Sequence, residues 1–418
     1  MDIHQIINPF PKQRTKVSGV ITNRYIVGDN KCIVTIDLVN DAIKKLDEKL
    51  YSIKLDNKNR NEELKKYLFT YFMTIEVDLN EYKNSFKNLS ENKLYEIELI
   101  PENMIELNNK IKLFNSNVYF SASPISKKEY FASFTGISLP IESTSLGVMA
   151  FNNKGDINTE LDKVFTYNLN VDLFRIHRVG QGSCNSIIFK QQYSHKLFYD
   201  VGISKYVEKD SNYKIYTHRF SMFNLQKFST IIISHWDEDH YLGVYLDKNR
   251  ELLYKTWITP KIEDTCLNAK RLGYLISIFG KLIMIDDSIK GHFYNKDDVF
   301  LFKGDGNNKN DSGIIIGIKT STNKNLVAMG DVPYKNASFF STYLHGCFNQ
   351  INYLIVPHHG AFLGLNNIFS SKITSNVAVI SVGYNQYGHP TNSTVNDLLS
   401  NGFKILKTDT DERQIIKF

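Results

Sequence analysis

The sequence predicts an α/β fold class, arranged as two domains, and three observations support this prediction. A chain of 418 residues exceeds what one hydrophobic core usually organises. Apolar periodicity fades in the polar segment 151–170, which is typical of a linker. From Val171 onward, short β-type runs with turn signals alternate with helical stretches. Domains of residues 1–150 and 171–418 follow from this division.

The first of these domains is predicted to be a smaller α+β or β-barrel-like unit. Its β-type runs KCIVTIDL (31–38), YFMTIEVDL (71–79) and KLYEIELI (93–100) alternate with lysine-rich stretches. The charged segment 56–67 is explained at least as well by a solvated helix face as by a binding surface. Binding of a substrate or of a protein partner is the role left open for this domain.

Composition excludes several classes of protein. Hydrophobic residues make up 42% and charged residues 22%, which is typical of a globular chain and not of a disordered or fibrous one. No stretch approaches the ~20 apolar residues of a membrane-spanning helix, and the first residues lack the apolar core of a signal peptide, so a cytoplasmic location without membrane contact is expected. The four cysteines occur singly, which predicts neither disulfides nor a thiolate zinc site. The net charge of +6 mildly favours a polyanionic partner.

The strongest chemical signal is the stretch IIISHWDEDHYLGV. An apolar run ends there, and His235, Asp237, Asp239 and His240 follow within a few positions. A loop after a buried strand presents its side chains at the edge of a sheet, and imidazole nitrogens and carboxylate oxygens are ligands of divalent metals. The stretch therefore predicts a metal site, and the alternative is an acidic loop with two incidental histidines.

Three later segments repeat this arrangement of an apolar strand followed by a potential ligand. They contain Asp331 in MGDVPY, His358 and His359 in VPHHGA, and His389 in YGHP. Each is weak alone, because an Asp after Gly is usually a turn residue and a His before Pro is usually part of a loop. Together, successive strands that end in His or Asp indicate a metal centre on one edge of a sheet.

The order of these motifs resembles that of a known family. VGQGSCNSIIF, FYDVG, ISHWDEDHYLGV, MGDVPY, VPHHGA and ISVGYNQYGHPT are similar to the motifs of metallo-β-lactamase fold hydrolases, and in particular of their ComEC-like branch. The resemblance covers about residues 171–418. It implies an αββα sandwich of two mixed sheets with helices outside, and one or two divalent ions bound at one edge between the sheets.

The resemblance also implies roles for individual residues. Six would bind metal: His235 and Asp237 at the first position, Asp239 and His240 at the second, Asp331 between the two, and His389 as the last ligand of the second. Asp200 would hold the metal loop by hydrogen bonds. Asp239 would also orient the attacking hydroxide, and either His358 or His359 would act as a proton donor or an extra ligand.

Two departures from the family pattern affect the metal. The chain has HxDxDH in place of HxHxDH, and the carboxylate of Asp237 shifts the preference from zinc towards manganese or iron. No histidine supplies a third ligand of the first position, where the segment GNNKNDSGIII offers Asp311 as an additional candidate. A single-metal centre is therefore an open alternative. Gly180 and Gly182 predict either a hairpin turn or a backbone nest for an anionic substrate.

The motif order, the basic balance and the histidine pair predict a metal-dependent phosphodiesterase, a nuclease that acts on DNA, RNA or nucleotides through a metal-activated hydroxide. A divalent ion lowers the pKa of bound water towards ~7, and a histidine protonates the departing oxygen. The fold hosts other chemistries, so hydrolysis of a cyclic nucleotide, phosphonate ester, lactone or thioester is one alternative. A degenerate metal-binding regulatory protein is another.

Overall fold

A computed structural model describes most of the C-terminal part of the chain and the strands of the N-terminal part. The described residues are 15–27, 31–38, 72–78, 94–101, 114–120, 128–136, 156–190, 196–204, 230–246, 251–262, 267–319, 324–337, 351–361, 376–385, 387–410 and 415–417. The chain divides into two compact units, Met1–Ala150 with Cys266–Arg271, and Phe151–Thr265 with Leu272–Phe418.

The first unit contains a closed six-stranded barrel. Its strands are β1 (Thr15–Val27), β2 (Lys31–Leu38), β3 (Phe72–Asp78), β4 (Leu94–Pro101), β5 (Phe114–Phe120) and β6 (Lys128–Gly136), in the order β1-β2-β3-β5-β6-β4. Val34 and Ile36 are both fully buried, as expected for alternate residues that face a barrel interior. The barrel-like alternative is thereby confirmed, and the three predicted runs are β2, β3 and β4. The charged segment 56–67 lies outside the described residues.

The second unit contains two mixed seven-stranded sheets. The first sheet has the order β12-β11-β10-β9-β8-β7-β20. Its strands are β7 (Val171–Ile176), β8 (Cys184–Phe189), β9 (Lys196–Val201), β10 (Thr230–Ile232), β11 (Thr256–Pro260), β12 (Lys281–Ile285) and β20 (Ile415–Lys417). Strands β9 to β12 are mutually parallel, and the pairs β20–β7, β7–β8 and β8–β9 are antiparallel.

The second sheet has the same division into a parallel and an antiparallel half. Its strands, in spatial order, are β13 (Gly291–Lys296), β14 (Val299–Lys303), β15 (Ile314–Lys319), β16 (Asn325–Ala328), β17 (Tyr353–Ile355), β18 (Asn376–Ile380) and β19 (Phe403–Lys407). Strands β16 to β19 are parallel, and β13 to β16 pair antiparallel.

Helices connect and flank these strands. Within the described ranges the α-helices are α1 (Ile157–Val164), α2 (Glu238–Tyr241), α3 (Leu267–Phe279) and α4 (Asn392–Ser400). Short 3-10 helices span Leu242–Leu246, Glu251–Tyr254, Tyr334–Asn336 and Pro357–Gly360. None of the helices in the described ranges has the length and apolar composition needed to cross a bilayer.

The two sheets bury their facing sides in one core. Ile232 of the first sheet and Leu301 of the second belong to the same apolar cluster. On the other face of the second sheet, Phe300 and Phe302 join a separate cluster with Leu398 of helix α4. Because the strands of the second sheet are covered on both faces, their sequences are continuous apolar runs. The predicted α/β class and its sandwich of two mixed sheets are confirmed.

The predicted linker 151–170 is wrong for its described part, residues 156–170. Asp156 caps helix α1 by accepting a hydrogen bond from the Thr159 backbone N–H. Leu161 and Phe165 are fully buried in the sandwich core, and the Phe165 ring stacks on Tyr294 at a centroid distance of 5.7 Å. A few apolar residues spaced four apart are enough to anchor this segment, although the polar residues between them resemble a linker.

Candidate metal centre

The topology brings the predicted ligands to one edge of each sheet. Strands β9 and β10 are parallel neighbours in the first sheet, and β16, β17 and β18 are parallel neighbours in the second. Parallel neighbours end at the same edge, so the residues that follow them are close in space. The predicted residues at this edge are Asp200, near the end of β9, and the 235–240 loop on one sheet, and Asp331, His358, His359 and His389 on the other.

A first group of ligand atoms comes from His235, His240 and Asp331, whose ligand atoms lie within 4.8 Å of one another. His240 Nε2 is 3.2 Å from Asp331 Oδ1, and His235 Nε2 is 3.4 Å from Asp331 Oδ2. All three side chains are buried. Two residues that follow one strand and one that follows a strand of the other sheet therefore meet, as the sequence predicts.

A second group comes from Asp239, His240 and His359, also within 4.8 Å of one another. His359 Nε2 is 3.2 Å from Asp239 Oδ2, and His240 Nε2 is 4.0 Å from Asp239 Oδ1. His240 belongs to both groups. Of the histidine pair in PHHG, it is thus His359 that is buried among the carboxylates.

Hydrogen bonds at Nδ1 orient His240 and His235. Asp200, which is fully buried, accepts from the Ser234 backbone N–H at 2.7 Å and from His240 Nδ1 at 2.8 Å. The Ser234 hydroxyl donates its single proton to Asp200 at 3.0 Å, so it accepts from His235 Nδ1 at 3.1 Å. Nδ1 of both rings therefore carries a proton, and Nε2 of both rings faces Asp331, where a bound ion would take the place of the Nε2 proton.

His359 is oriented in the same way. Its Nδ1 donates to the Ser381 carbonyl oxygen at 2.8 Å, which leaves Nε2 facing Asp239. Metal-binding histidines almost always donate their other ring N–H to a carboxylate or carbonyl oxygen. The sequence singled out Asp200 for this role but neither Ser234 nor Ser381, because no local pattern marks a serine whose partner is distant in the chain.

Several buried atoms of the cluster lack a hydrogen-bond partner. They are Nε2 of His235, His240 and His359 and Oδ1 of Asp331. A buried polar atom without a partner costs ~1–3 kcal/mol, and four of them converge here. A divalent cation accepts lone pairs from nitrogen and oxygen together, so the donor set fits such an ion.

The electrostatics of the cluster also favour a cation. Burial and His240 lower the pKa of His235, but Asp331 and Asp237 outweigh them and raise it to about 9. Burial alone would raise the pKa of Asp331, but His358, His240 and His235 hold it well below its usual range. The carboxylates therefore stay ionised inside the protein, and the histidines supply the positive charge that a bound cation would provide in their place.

Unusual backbone conformations surround the cluster. Asp200, His358 and His359 have φ of 59°, 49° and 52°, and they are three of the four non-glycine residues with positive φ in the described ranges. Gly330, with φ of 58°, directly precedes Asp331, and a Cβ atom there would overlap the Ser234 side chain. Such strain persists only where the surrounding structure enforces it, and it is common at functional sites.

Asp237 is placed differently from the other carboxylates and belongs to neither group within the described part of the chain. Its Oδ2 is 3.4 Å from His235 Nε2, and its Oδ1 is 2.5 Å from Lys309 Nζ. Against the effect of burial, Lys309 and His235 lower the pKa of Asp237 below its usual range. Sequence reasoning missed Lys309, although it lies in the segment GNNKNDSGIII considered for an extra ligand.

The remaining predicted residues lie at the margin. His358 Nδ1 is 3.6 Å from Asp331 Oδ2, and its side chain is 33% exposed. The His389 ring is 5.6 Å from that of His358, and burial, with His358 and His359, lowers the pKa of His389 to about 4. His389 and Asp311 are in neither ligand group, and the Asp311 carbonyl oxygen accepts from the Gly306 N–H within a turn.

The glycine-rich segment 177–183 connects the antiparallel strands β7 and β8, as the hairpin interpretation predicts. It also supports the metal loop, because the Ser183 N–H donates to the Asp239 carbonyl oxygen at 2.9 Å. A Cβ atom at Gly202 would overlap the same carbonyl group. The close approach of these backbones fixes the position of Asp239.

A cavity of about 330 Å³ lies beside the His235 side of the cluster. Trp236, Lys261, Asn308 and Lys309 contribute to its lining. The indole N–H of Trp236 donates to the Pro260 carbonyl oxygen at 3.1 Å, which holds the ring in place. The wall therefore carries two lysines, together with the carboxylate of Asp287.

Comparisons with known proteins agree with this architecture at a coarse level. No family model matches the chain. It is 33% identical over 86 residues to competence protein ComA of Neisseria gonorrhoeae, a match that covers 20% of this chain and 12% of that protein. Because the matched part is so small, membership of the ComEC-like branch stays a prediction.

The solved structures that are similar to part of this chain include several hydrolases. A quorum-quenching N-acyl homoserine lactone lactonase is 11% identical, with 46% of this chain and 93% of that chain covered and a TM-score of 0.33. A diphosphatase from the PhnP family is 12% identical, with 56% of this chain and 84% of that chain covered and a TM-score of 0.32. A mutant metallo-β-lactamase from Cronobacter sakazakii is 12% identical, with 44% of this chain and 75% of that chain covered and a TM-score of 0.26. At these scores the likenesses carry no argument about activity, and the fold rests on the sheet topology described above.

Proposed function

We propose that this chain is a metal-dependent phosphodiesterase, a nuclease that acts on DNA or RNA. One observation carries the proposal: His235, His240 and His359, each oriented through Nδ1, direct their unpartnered Nε2 atoms towards buried carboxylates. A nitrogen lone pair and a carboxylate oxygen this close repel each other unless a proton or a cation lies between them, and together they form the donor set that a divalent ion requires.

Asp239, His240, His359 and Asp331 are the residues that would hold an ion. When bound, a divalent ion acts as a Lewis acid and lowers the pKa of water towards ~7. The mixture of imidazole and carboxylate ligands suits manganese, zinc or iron.

The two histidines of PHHG take different roles in this proposal. His359 is 4% exposed and faces Asp239, which suits a ligand. His358 is 33% exposed at the margin of the cluster, 3.6 Å from Asp331, where it can reach a leaving group. We assign His358 as the general acid that protonates the departing alkoxide, and Asp239 as the residue that orients the attacking water.

An anionic substrate is supported by the charges around the centre. Lys261 and Lys309 line the cavity beside His235, and the whole chain carries a net charge of +6. A phosphodiester is the anionic group whose cleavage depends most on an acid for its basic leaving group. These features favour a nucleic acid or a nucleotide over a neutral substrate.

Purified full-length protein, incubated with single- and double-stranded DNA and RNA and with Mn²⁺ or Zn²⁺, tests the nuclease proposal. We expect cleavage at least ~100-fold faster than with the double variant Asp239→Ala, His240→Ala, because that variant removes two of the ion's ligands. Equal rates for the two proteins would rule the nuclease out.

The acid role of His358 has its own test. His358→Ala should slow cleavage of nucleic acid by about 10²–10⁴-fold, the usual contribution of a general acid. Hydrolysis of bis-p-nitrophenyl phosphate should fall by less than ~3-fold, because p-nitrophenolate leaves without a proton. Equal losses on both substrates would contradict the assignment.

Hydrolysis of a small molecule is the second candidate, and the cavity favours it. A volume of about 330 Å³ is within the range that holds one small ligand. Cyclic nucleotides, phosphonate esters, lactones and thioesters belong in the same assay. Turnover of one of these without cleavage of nucleic acid would select this candidate.

A further inference from the structure

The two ligand groups of the centre compete for one atom. One group consists of His235, His240 and Asp331, and the other consists of Asp239, His240 and His359. Both groups therefore depend on His240, whose Nδ1 is held by Asp200. The remaining nitrogen, Nε2, has a single lone pair and binds one ion. The two groups therefore cannot each hold an ion through His240.

The His359 side is the group that can be completed. Asp239, His240 and His359 supply three ligand atoms, and Asp331 Oδ1, 3.2 Å from His240 Nε2, supplies a fourth. Two nitrogens and two oxygens form the four-ligand set that is common for zinc and similar ions. An ion there satisfies the unpartnered atoms of His240, His359 and Asp331.

The His235 side keeps a lysine in place of a further ligand. Asp237 lies between His235 Nε2 at 3.4 Å and Lys309 Nζ at 2.5 Å. Asp237 is 13% exposed, so its charge is partly shielded from water and the ammonium compensates it directly. A divalent ion bound to Asp237 would have to displace this ammonium or lie against it at unfavourable Coulomb energy.

Lys309 also faces the space in which a substrate would lie. Both Lys309 and His235 line the cavity of about 330 Å³, and Lys261 lies in the same wall. A lysine ammonium is a compact charge that binds phosphoryl oxygens well.

We propose that the centre holds one divalent ion, on the His359 side, and that the Lys309 ammonium supplies the second positive charge on the His235 side, where it binds the phosphoryl group of the substrate. The count of ions stands on the geometry of this chain alone. The role of Lys309 in substrate binding rests on the proposed function.

Metal content tests the count. Full-length protein loaded with excess Mn²⁺ or Zn²⁺ and freed of loosely bound ion by gel filtration should contain one ion per chain by elemental analysis. Lys309→Met should raise the content towards two, because Asp237 and His235 lose the competing ammonium. Lys309→Arg, which keeps the charge, and Lys261→Met, which removes the other lysine of the cavity, should both retain one ion.

Either of two results would overturn the proposed count of one ion per chain. The first is two ions in the unsubstituted protein. The second is a single ion in the Lys309→Met variant when that variant melts at the same temperature as the unsubstituted protein. If Lys309→Met melts at a lower temperature, the neutral Lys309→Gln replaces it in the same comparison.

Binding of inorganic phosphate tests the second part. Calorimetry on the metal-loaded protein should show affinity at least ~10-fold weaker for Lys309→Met and within ~3-fold for Lys309→Arg. Unchanged affinity in Lys309→Met would contradict the role of Lys309. If one ion and lysine-dependent phosphate binding are found without any nucleic-acid cleavage, the nuclease proposal fails and this inference stands.

Discussion

The two sides of the candidate metal centre use the same kinds of ligand but differ in what surrounds them. On one side, Asp239 faces His359, a histidine whose other nitrogen is held by a carbonyl group. On the other side, Asp237 faces Lys309. An ion can replace the Nε2 proton of an imidazole that lies opposite a carboxylate, whereas a carboxylate opposite an ammonium is already compensated. Similar residues in one short motif are therefore not equivalent in the folded protein.

The supporting structure of the two sides differs as well. His359 follows strand β17 in a left-handed backbone conformation, and the neighbouring His358 N–H donates to the Gly330 carbonyl oxygen at 3.0 Å. Lys309 lies in the connection between β14 and β15, where Asn308 accepts from the backbone N–H of Asn310 and Asp311. His359 is thus positioned just beyond the end of a strand, and Lys309 is positioned by a turn.

The largest effect expected is on metal affinity when a shared ligand is removed. His240→Ala should weaken Mn²⁺ binding at least ~100-fold, while His235→Ala, an equal truncation on the lysine side, should weaken it by less than ~10-fold. Titration calorimetry measures both. A ligand present at a concentration of 100 times its Kd stabilises the fold by about 2.7 kcal/mol. A chelator should therefore lower the Tm of His235→Ala, which retains the ion, but not the Tm of His240→Ala, which does not. Equal losses would remove the difference between the two sides.

The next effect concerns the carboxylate that orients His240. Asp200→Asn should weaken metal binding by about 10–100-fold, because an amide cannot accept all three hydrogen bonds made to this side chain. Asp297→Asn is a matched control. Asp297 also has positive φ, 48°, and its side chain accepts from the Leu169 N–H, but it is outside both ligand groups. Its substitution should leave metal affinity unchanged, and a similar loss in both variants would show that Asp200 acts through general stability.

A third comparison separates backbone strain from packing next to Asp331. Gly330→Ala should lower the free energy of unfolding by about 2–5 kcal/mol, since it adds a steric overlap with Ser234 to the cost of positive φ. Gly388→Ala, at φ of 72° with nothing within 4 Å of an added Cβ, should cost about 1–2 kcal/mol. Denaturant unfolding of the metal-free variants gives both values. Equal costs would mean that the contact between Gly330 and Ser234 is not tight.

The smallest effect is expected for Ser381→Ala. His359 is held by the backbone carbonyl of this residue, and the side chain donates instead to the Gly182 carbonyl oxygen at 2.6 Å. Metal affinity should therefore change by less than ~3-fold, and stability should fall by about 1 kcal/mol. A tenfold loss of affinity would show that the Gly182 contact, and not the carbonyl group, positions His359.

Much of this arrangement could be predicted from the sequence. The apolar runs that became β7 to β10 and β15 to β18, and the polar residues directly after them, are local features, so the strands, the edge and most of the clustered residues were expected. Prediction failed where a few residues outweighed composition. In the segment 156–170, Leu161, Phe165 and Leu169 are fully buried although the segment is polar on average.

The sequence by itself determined the fold class and most of the ligand side chains that meet, because hydrophobic periodicity and strand ends depend on neighbouring residues. Only the tertiary structure decided how those side chains pair. It directed His359 inward and His358 outward, made His240 common to both ligand groups, and placed Lys309 against Asp237. These choices depend on the backbone angles of loops and on packing between distant segments, for which the chain carries no local signal.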